Sequence, residues 1–189
     1  MALTFCFLWS TICPRLLLAA KTAKLRLTKS QDSERRGRTR VEQIDLNGKS
    51  AQDIIKRLAL LPHPEGGHYR QTWIGEEDER PSGTCIYFLL GAGERSHWHT
   101  VDATEIWHHY AGAPLILSLS ETDTGPAKDH VLGPNLFQGQ SPQIIVPPHN
   151  WQAARSTGDW TLMGCTVSPA FQFDGFTLAP PGFDIPRAG

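Results

Sequence analysis

The chain has 189 residues and a mass of 21.0 kDa, enough for one domain of ordinary size. Hydrophobic residues make up 40% of it and include six Trp and eight Phe, a supply of core material that excludes wholesale disorder. Residues 1–40 hold nine basic and two acidic side chains, whereas residues 41–189 hold nine basic and 17 acidic ones. The acidic main part argues against nucleic acid as a partner, and no apolar stretch reaches the ~20 residues that a membrane-spanning helix needs.

Residues 1–40 differ in composition from everything after them, so we expect a basic tail there and one domain over residues 41–189. No acidic residue precedes Asp32, which is typical of a mitochondrial transit peptide. A plain disordered tail is the alternative, and a secretory signal is disfavoured because the first positive charge, Arg15, follows the apolar start. The four cysteines show no paired spacing. The expected location is intracellular, either mitochondrial or cytoplasmic.

One short helix is predicted over residues 50–60, with Ser50 as its N-cap and Asp53 in its first turn. Six strand-like runs follow and are separated by glycine and proline: 84–90, 95–101, 105–111, 115–120, 143–146 and 160–167. Many short strands at spacings near ten residues, with almost no helix, predict an all-β sandwich or barrel.

Four of the eight histidines lie within residues 96–109. Because side chains alternate along a strand, we expect His97 and His99 to share one face, and Glu105, Trp107 and His109 to share a face of the next strand. Two imidazoles and a carboxylate that converge would suit Fe(II), Mn(II), Ni(II) or Zn(II). The alternative is that these histidines lie at the surface or are satisfied within the core.

The same residues resemble a motif of a known superfamily. Gly91, His97, His99, Glu105 and Gly112 resemble the first motif of the cupins, with a gap between histidine and glutamate that is one residue longer than usual. The second cupin motif is matched poorly by residues 147–152. In that segment Gln152, a neutral oxygen donor, stands where the ligand histidine is usual.

Four longer segments resemble one cupin subfamily of undefined function, related in structure to dTDP-4-dehydrorhamnose 3,5-epimerase. These segments are 61–72, 86–90, 105–112 and 146–154, within a similarity that covers residues 45–176. The resemblance implies an all-β double-stranded β-helix (jelly roll) that forms a homodimer. It also implies a pocket that includes His99, Glu105, Trp107 and Gln152, with Ser96 and His99 as fixed positions and His97 as a free one.

Several other residues are candidates for the same pocket. Tyr87, like Tyr69, is either a pocket acid or a packing residue. Trp98, Trp107 and Trp151 either stack on a ligand or fill the core. Residues 63–67, which combine Glu65 with two glycines, are either a functional loop at the rim or a structural turn.

The resemblance favours an isomerase or epimerase that acts on a carbohydrate-like or nucleotide-sugar ligand. His99 would be the general base and Glu105 would orient it or hold a metal. Ser96, Tyr87, Trp107, Trp151 and Gln152 would contact the ligand. The alternatives are a metal-dependent dioxygenase-type cupin, with His97, His99, Glu105 and Gln152 as ligands, and a binding protein without turnover.

Overall fold

The computed structural model describes residues 46, 48–76 and 79–187. The predicted tail and transit peptide at residues 1–40 lie outside the described residues, so both remain predictions. No helix in the described ranges is long and apolar enough to cross a bilayer.

The predicted helix forms as α1, Ala51–Leu58. Its first turn is closed by a capping box, in which Ser50 accepts from the Asp53 backbone N–H while the Asp53 carboxylate accepts from the Ser50 backbone N–H at 3.0 Å. The buried side chain of Ile54 packs with Leu89 and Trp160 of the neighbouring sheet. The helix therefore covers one outer region of that sheet.

Eleven strands account for most of the remaining described residues. They are β1 Leu61–Pro62, β2 His68–Ile74, β3 Thr84–Gly91, β4 Arg95–Val101, β5 Thr104–Gly112, β6 Leu115–Ser120, β7 Lys128–Leu132, β8 Gln143–Val146, β9 Trp151–Ser156, β10 Trp160–Ser168 and β11 Phe176–Leu178. Two short 3-10 helices lie at Leu136–Gln138 and Phe173–Gly175.

The strands form two sheets in which neighbouring strands are antiparallel. One sheet has the order β1-β2-β3-β10-β5-β8 and the other has the order β11-β4-β9-β6-β7. The main core lies between them and contains Phe88, Leu90, Trp107, Leu115, Leu117, Leu132, Val146, Ala154, Met163 and Cys165. This arrangement is a jelly roll, so the predicted fold class is confirmed.

Strand β4 contains a bulge that changes which side chains face the interior. Ser96 pairs with Ala154 and His99 pairs with Gln152, so between these pairs two residues of β4 oppose one residue of β9. Ser96 and His99 are consequently both buried on the inner side. The expectation that His97 and His99 share a face is therefore wrong, because the extra residue interrupts the alternation between them.

All six predicted strands are present with bounds within one residue of those observed. The prediction omitted β1, β2, β7, β9 and β11. Strand β2 is rich in polar side chains and five of its seven residues are exposed, so it lacks the apolar alternation of a core strand. Strand β9 contains no Val, Ile or Thr, the β-branched residues that identify most strands.

Candidate functional site

A pocket of about 100 Å³ opens between the two sheets and contains both predicted key residues, His99 and Glu105. Two further polar side chains, His63 and Glu65, enter it from the loop between β1 and β2. Its remaining lining is largely aromatic and aliphatic, and includes Tyr69, Ile86, Phe88, Phe171, Phe173 and Phe176. A few polar groups that converge in an apolar cleft are typical of small-molecule sites.

The loop that carries Glu65 reaches the interior because two glycines allow it. Gly66 and Gly67 have φ values of +108° and +68°, a region that glycine adopts without strain. A Cβ on Gly66 would collide with the Arg95 carbonyl, and one on Gly67 would lie 2.7 Å from the Leu89 carbonyl oxygen. The His97 backbone N–H donates to the Glu65 carbonyl at 2.8 Å and fixes the loop against β4.

The carboxylate of Glu65 is buried and has three polar neighbours. The Ser96 hydroxyl donates to its Oε1 at 2.8 Å, while His99 Nε2 and His63 Nδ1 lie 3.5 and 3.3 Å from its Oε2. Burial by itself would raise the pKa of Glu65. The neighbouring histidines and the Ser96 hydrogen bond outweigh burial, so the pKa is lowered and the carboxylate stays ionised.

The imidazole of His99 is oriented by the backbone. Its Nδ1 lies 2.8 Å from the His97 carbonyl oxygen, which can only accept, so we assign the proton of the neutral ring to Nδ1. Nε2 is then the nitrogen that can take up a proton, and its polar neighbour is Glu65 Oε2 at 3.5 Å. A proton taken up at Nε2 would produce an imidazolium that is stabilised directly by that carboxylate.

Glu105 occupies a different environment on strand β5. Gln152 donates from Nε2 to Glu105 Oε2 at 2.6 Å, and Gln152 Oε1 accepts from the Trp107 indole N–H at 3.0 Å. The pKa of Glu105 is raised, chiefly by burial and further by the charge of Glu65, although His99 acts in the opposite direction. Burial and the charges of Glu105 and Glu65 also raise the pKa of the buried Cys165 thiol, which lines the same pocket, well above its usual range.

Not all predicted ligand contacts lie in the pocket. Ser96, Trp107 and Gln152 lie behind the carboxylates and act through them. Tyr87 lies on the outer side, where its ring is 6.1 Å from that of Tyr110, because its neighbour in β3 faces inward. Trp151 likewise lies outside and packs against Phe183. The expectation that Tyr87 and Trp151 line the pocket is therefore wrong.

The predicted metal ligands are not brought together either. His97 Nε2 contacts the Pro180 carbonyl oxygen at 3.0 Å, and His97 does not line the pocket that holds His99 and Glu105. Gln152 directs its amide to Glu105 and Trp107. Among the described residues, no three His, Cys, Asp or Glu side chains are spaced to hold a metal ion. The proposed set of His97, His99, Glu105 and Gln152 does not fit a metal centre.

Sequence reasoning underestimated the loop at residues 63–67 and missed the cover of the pocket. The cover is residues 170–176, which carry three of the lining phenylalanines. Arg80 donates to the Ala170 carbonyl at 2.9 Å, and the Phe171 backbone N–H donates to the Thr84 hydroxyl at 3.1 Å. The adjacent Gly66 and Gly67 beside a carboxylate were the available signal for the loop. The phenylalanines of residues 170–176 gave no such signal, because a phenylalanine that lines a pocket cannot be distinguished in sequence from one that fills the core.

Comparisons with known proteins agree with this architecture. Residues 52–179 match the family described as Cupin superfamily (DUF985). A crystal structure of a protein from Shewanella oneidensis is similar at 38% identity and a TM-score of 0.66, over 69% of this chain and 85% of that one. A hypothetical protein from Leishmania major is similar at 28% identity and a TM-score of 0.64, over 71% and 89% of the two chains. No curated protein matches. The family match covers more than half of the chain, and the chain therefore belongs to the cupin superfamily.

Proposed function

We propose that this cupin is an isomerase or epimerase that acts on a small carbohydrate-like ligand, at a carbon next to a carbonyl group. The observation that carries the proposal is the contrast between the two buried carboxyls of one pocket: the pKa of Glu65 is lowered and that of Glu105 is raised. Groups whose pKa values are pushed apart can serve as base and acid at the same pH.

The base in this proposal is His99 supported by Glu65. Nε2 accepts a proton from the carbon beside the carbonyl, the C–H bond breaks, and the imidazolium is stabilised by the Glu65 carboxylate 3.5 Å away. Glu105, in its protonated form, donates a proton to the carbonyl oxygen and an enol results. For the epimer, a proton from solvent adds to the opposite face of the same carbon and the enol O–H returns its proton to Glu105. For the isomer, His99 returns its proton to the former carbonyl carbon, and the hydroxyl on the neighbouring carbon of the enediol loses its proton to Glu105 as it becomes the new carbonyl.

The shape of the pocket supports a small ligand. Its volume of about 100 Å³ is below the ~300–1,000 Å³ typical of drug-sized sites, so one sugar unit would enter while any nucleotide part stays outside. The aromatic rings of Tyr69, Phe88 and Phe176 line the walls and offer apolar faces to the C–H groups of a sugar ring.

The experiment is solvent exchange in deuterium oxide. Aldoses, ketoses and nucleotide sugars are incubated with the full chain, and proton NMR follows the loss of the signal from the carbon beside the carbonyl. Exchange is expected with the native protein and is lost in His99→Asn, whose amide can still donate to the His97 carbonyl. His130→Asn is the control, because His130 is exposed on β7 and lies outside the pocket. Ligand-induced thermal stabilisation without exchange would support a binding protein without turnover instead.

A metal-dependent cupin is the second candidate. It is favoured by one observation: the Nδ1 of His99 is fixed by a backbone carbonyl, the arrangement that orients metal-ligating histidines. The donors near Nε2 are Glu65 and His63 rather than His97, and because no three such side chains of the described residues are spaced to hold an ion as they stand, this candidate requires them to move closer together. Elemental analysis of protein purified without an affinity tag separates the two candidates, because a stoichiometric metal lost in Glu65→Gln would favour the second.

A further inference from the structure

A second pocket lies on the outer face of the five-stranded sheet and is rich in arginine. Arg95, Arg155 and Arg187 line it together with Asp184 and Phe183. Residues 41–189 contain only nine Lys and Arg side chains against 17 Asp and Glu, so a third of the basic residues of this acidic part meet at one place.

Arg95 and Arg155 form the centre of this pocket. They are directly opposite each other on β4 and β9, and their neighbours Ser96 and Ala154 are buried on the inner side. Both arginines therefore project outward from adjacent positions, where like charges repel. Within the described ranges, neither side chain makes an ion pair or a side-chain hydrogen bond. Each of these two guanidinium groups therefore lacks a carboxylate in contact among the described residues.

Arg187 is held rigidly at the side of the same pocket. Its guanidinium lies 3.5 Å from Asp129 and 3.3 Å from Asp184, and donates to the Ser118 hydroxyl at 3.2 Å. Asp184 is fixed in turn by the Trp98 indole N–H at 2.7 Å. The two carboxylates outnumber Arg187, so the three arginines and two aspartates leave a net charge of +1, and Arg95 and Arg155 are the positive groups without a carboxylate in contact.

We propose that this outer pocket binds a phosphate group, either as inorganic phosphate or as part of a phosphate monoester. Guanidinium groups pair with phosphate oxygens through two parallel hydrogen bonds, and a bound dianion would remove the repulsion between the two arginines. The pocket measures about 50 Å³, which suits an ion-sized group rather than a whole metabolite. It lies on the opposite face of the sheet from His99, so its occupant is distinct from the ligand of the interior pocket.

The test is titration calorimetry of the full chain with inorganic phosphate and with phenyl phosphate, at constant ionic strength set by chloride. Hydrogen bonds to charged groups contribute about 1.5–3 kcal/mol, so we expect Arg155→Gln and Arg95→Gln each to weaken phosphate binding by about tenfold or more. Arg155→Lys keeps the charge but not the paired hydrogen bonds and should give an intermediate loss. Phenyl phosphate that binds as well as inorganic phosphate would identify the monoester as the class of occupant.

Arg57→Gln is the matched control, because Arg57 is exposed at the end of α1 and lies outside this pocket. It should bind phosphate as the native chain does. The two pocket arginines are exposed, so their substitution leaves the core intact and far-UV circular dichroism confirms folding. Equal binding by Arg57→Gln and Arg155→Gln variants, or binding of acetate as tight as that of phosphate, would overturn the proposal.

Discussion

The interior pocket has a loop side, formed by residues 63–67, and a strand side, formed by β5, and each carries one buried glutamate. The pKa values of these two glutamates are shifted in opposite directions. On the loop side, Glu65 meets Ser96, His63 and His99, and its pKa is lowered. On the strand side, Glu105 meets an amide and a thiol, feels the charge of Glu65, and its pKa is raised. Burial alone therefore does not set the protonation of a carboxyl. The charges and donors around it decide whether the fold keeps it ionised.

Glu65→Gln should have a large effect on activity, because it removes the charge that stabilises protonated His99. We expect the exchange rate in deuterium oxide to fall by about a hundredfold or more, the usual range for loss of acid–base catalysis. Glu121→Gln, an exposed carboxylate outside the pocket, is the control and should keep the native rate. A Glu65→Gln rate close to native would remove the loop side from the mechanism.

Glu105→Gln should also abolish ligand binding or turnover, yet it should leave the fold intact. An amide can replace the protonated carboxyl that the site favours, and Gln152 Nε2 can donate to its oxygen. We therefore expect an unfolding temperature at neutral pH at or above that of the native protein. Thermal unfolding and the exchange assay measure the two effects. A strongly destabilised Glu105→Gln variant would show that the Glu105 carboxyl is needed for the stability of the fold.

Gly67→Ala should displace the loop that carries Glu65 and leave strand β5, which carries Glu105, in place. The substitution adds a Cβ to a residue at φ +68°, 2.7 Å from the Leu89 carbonyl oxygen. Gly93→Ala has a comparable φ of +76° with open space around it and is the matched control. The left-handed conformation costs about 1–2 kcal/mol in both variants. Overpacking adds about 1–3 kcal/mol in Gly67→Ala alone. Denaturant unfolding measures the difference, and equal losses would contradict the close contact.

The two sides should also differ in their effect on stability with pH. Glu65, with its pKa lowered, stabilises the fold above the usual carboxyl pKa and loses that contribution as pH falls through its folded value. Glu105, with its pKa raised, makes the fold less stable as pH rises from the usual carboxyl pKa through its folded value. Free energies of unfolding are measured for the native chain, Glu65→Gln and Glu105→Gln from about pH 3 to pH 8. The advantage of the native chain over Glu65→Gln should shrink as pH falls below the usual carboxyl pKa, whereas its stability relative to Glu105→Gln should fall as pH rises above that pKa. Parallel curves would mean that both carboxyls share one protonation behaviour.

His97→Phe should have the smallest effect, because His97 belongs to neither side of the pocket. The variant loses one contact with the Pro180 carbonyl, which is worth about 0.5–1.5 kcal/mol, and most ligand binding should remain. Calorimetry against the ligand found by exchange is the measurement. Loss of all ligand binding in His97→Phe, together with loss of a stoichiometric metal, would instead support a metal-dependent dioxygenase-type cupin.

Much of the fold could be predicted because its central strands carry a local signal. Strands β4, β6 and β8 match the predicted bounds, since they are short runs bounded by glycine, proline or polar turns. The helix was identified by Ser50 and Asp53, which form the capping box. Strands β2 and β9 lacked such a signal, and only their pairing with β3 and with β4 and β6 defines them.

The candidate site was predicted in part. His99 and Glu105 line one pocket, whereas Trp107 and Gln152, which the resemblance also implied for it, lie behind Glu105. His97, Tyr87 and Trp151 lie elsewhere, because each is placed by strand alternation or by a bulge rather than by residue type. The sequence predicted Glu65 only as part of a loop at the rim, because the sequence of residues 63–67 does not indicate how deeply that loop enters the space between the sheets.

By itself the sequence determined the class of fold, its main strands, its capped helix and two of the four His and Glu side chains in the pocket. These features depend on alternation, capping and turn chemistry, which act over a few neighbouring residues. The tertiary structure alone decided that Glu65 joins His99, and that a bulge turns His97 away. It also brought Arg95 to Arg155 across a strand pair. Such contacts link residues separated by 34 to 60 positions, so only the register of the sheets and the path of the loops can create them.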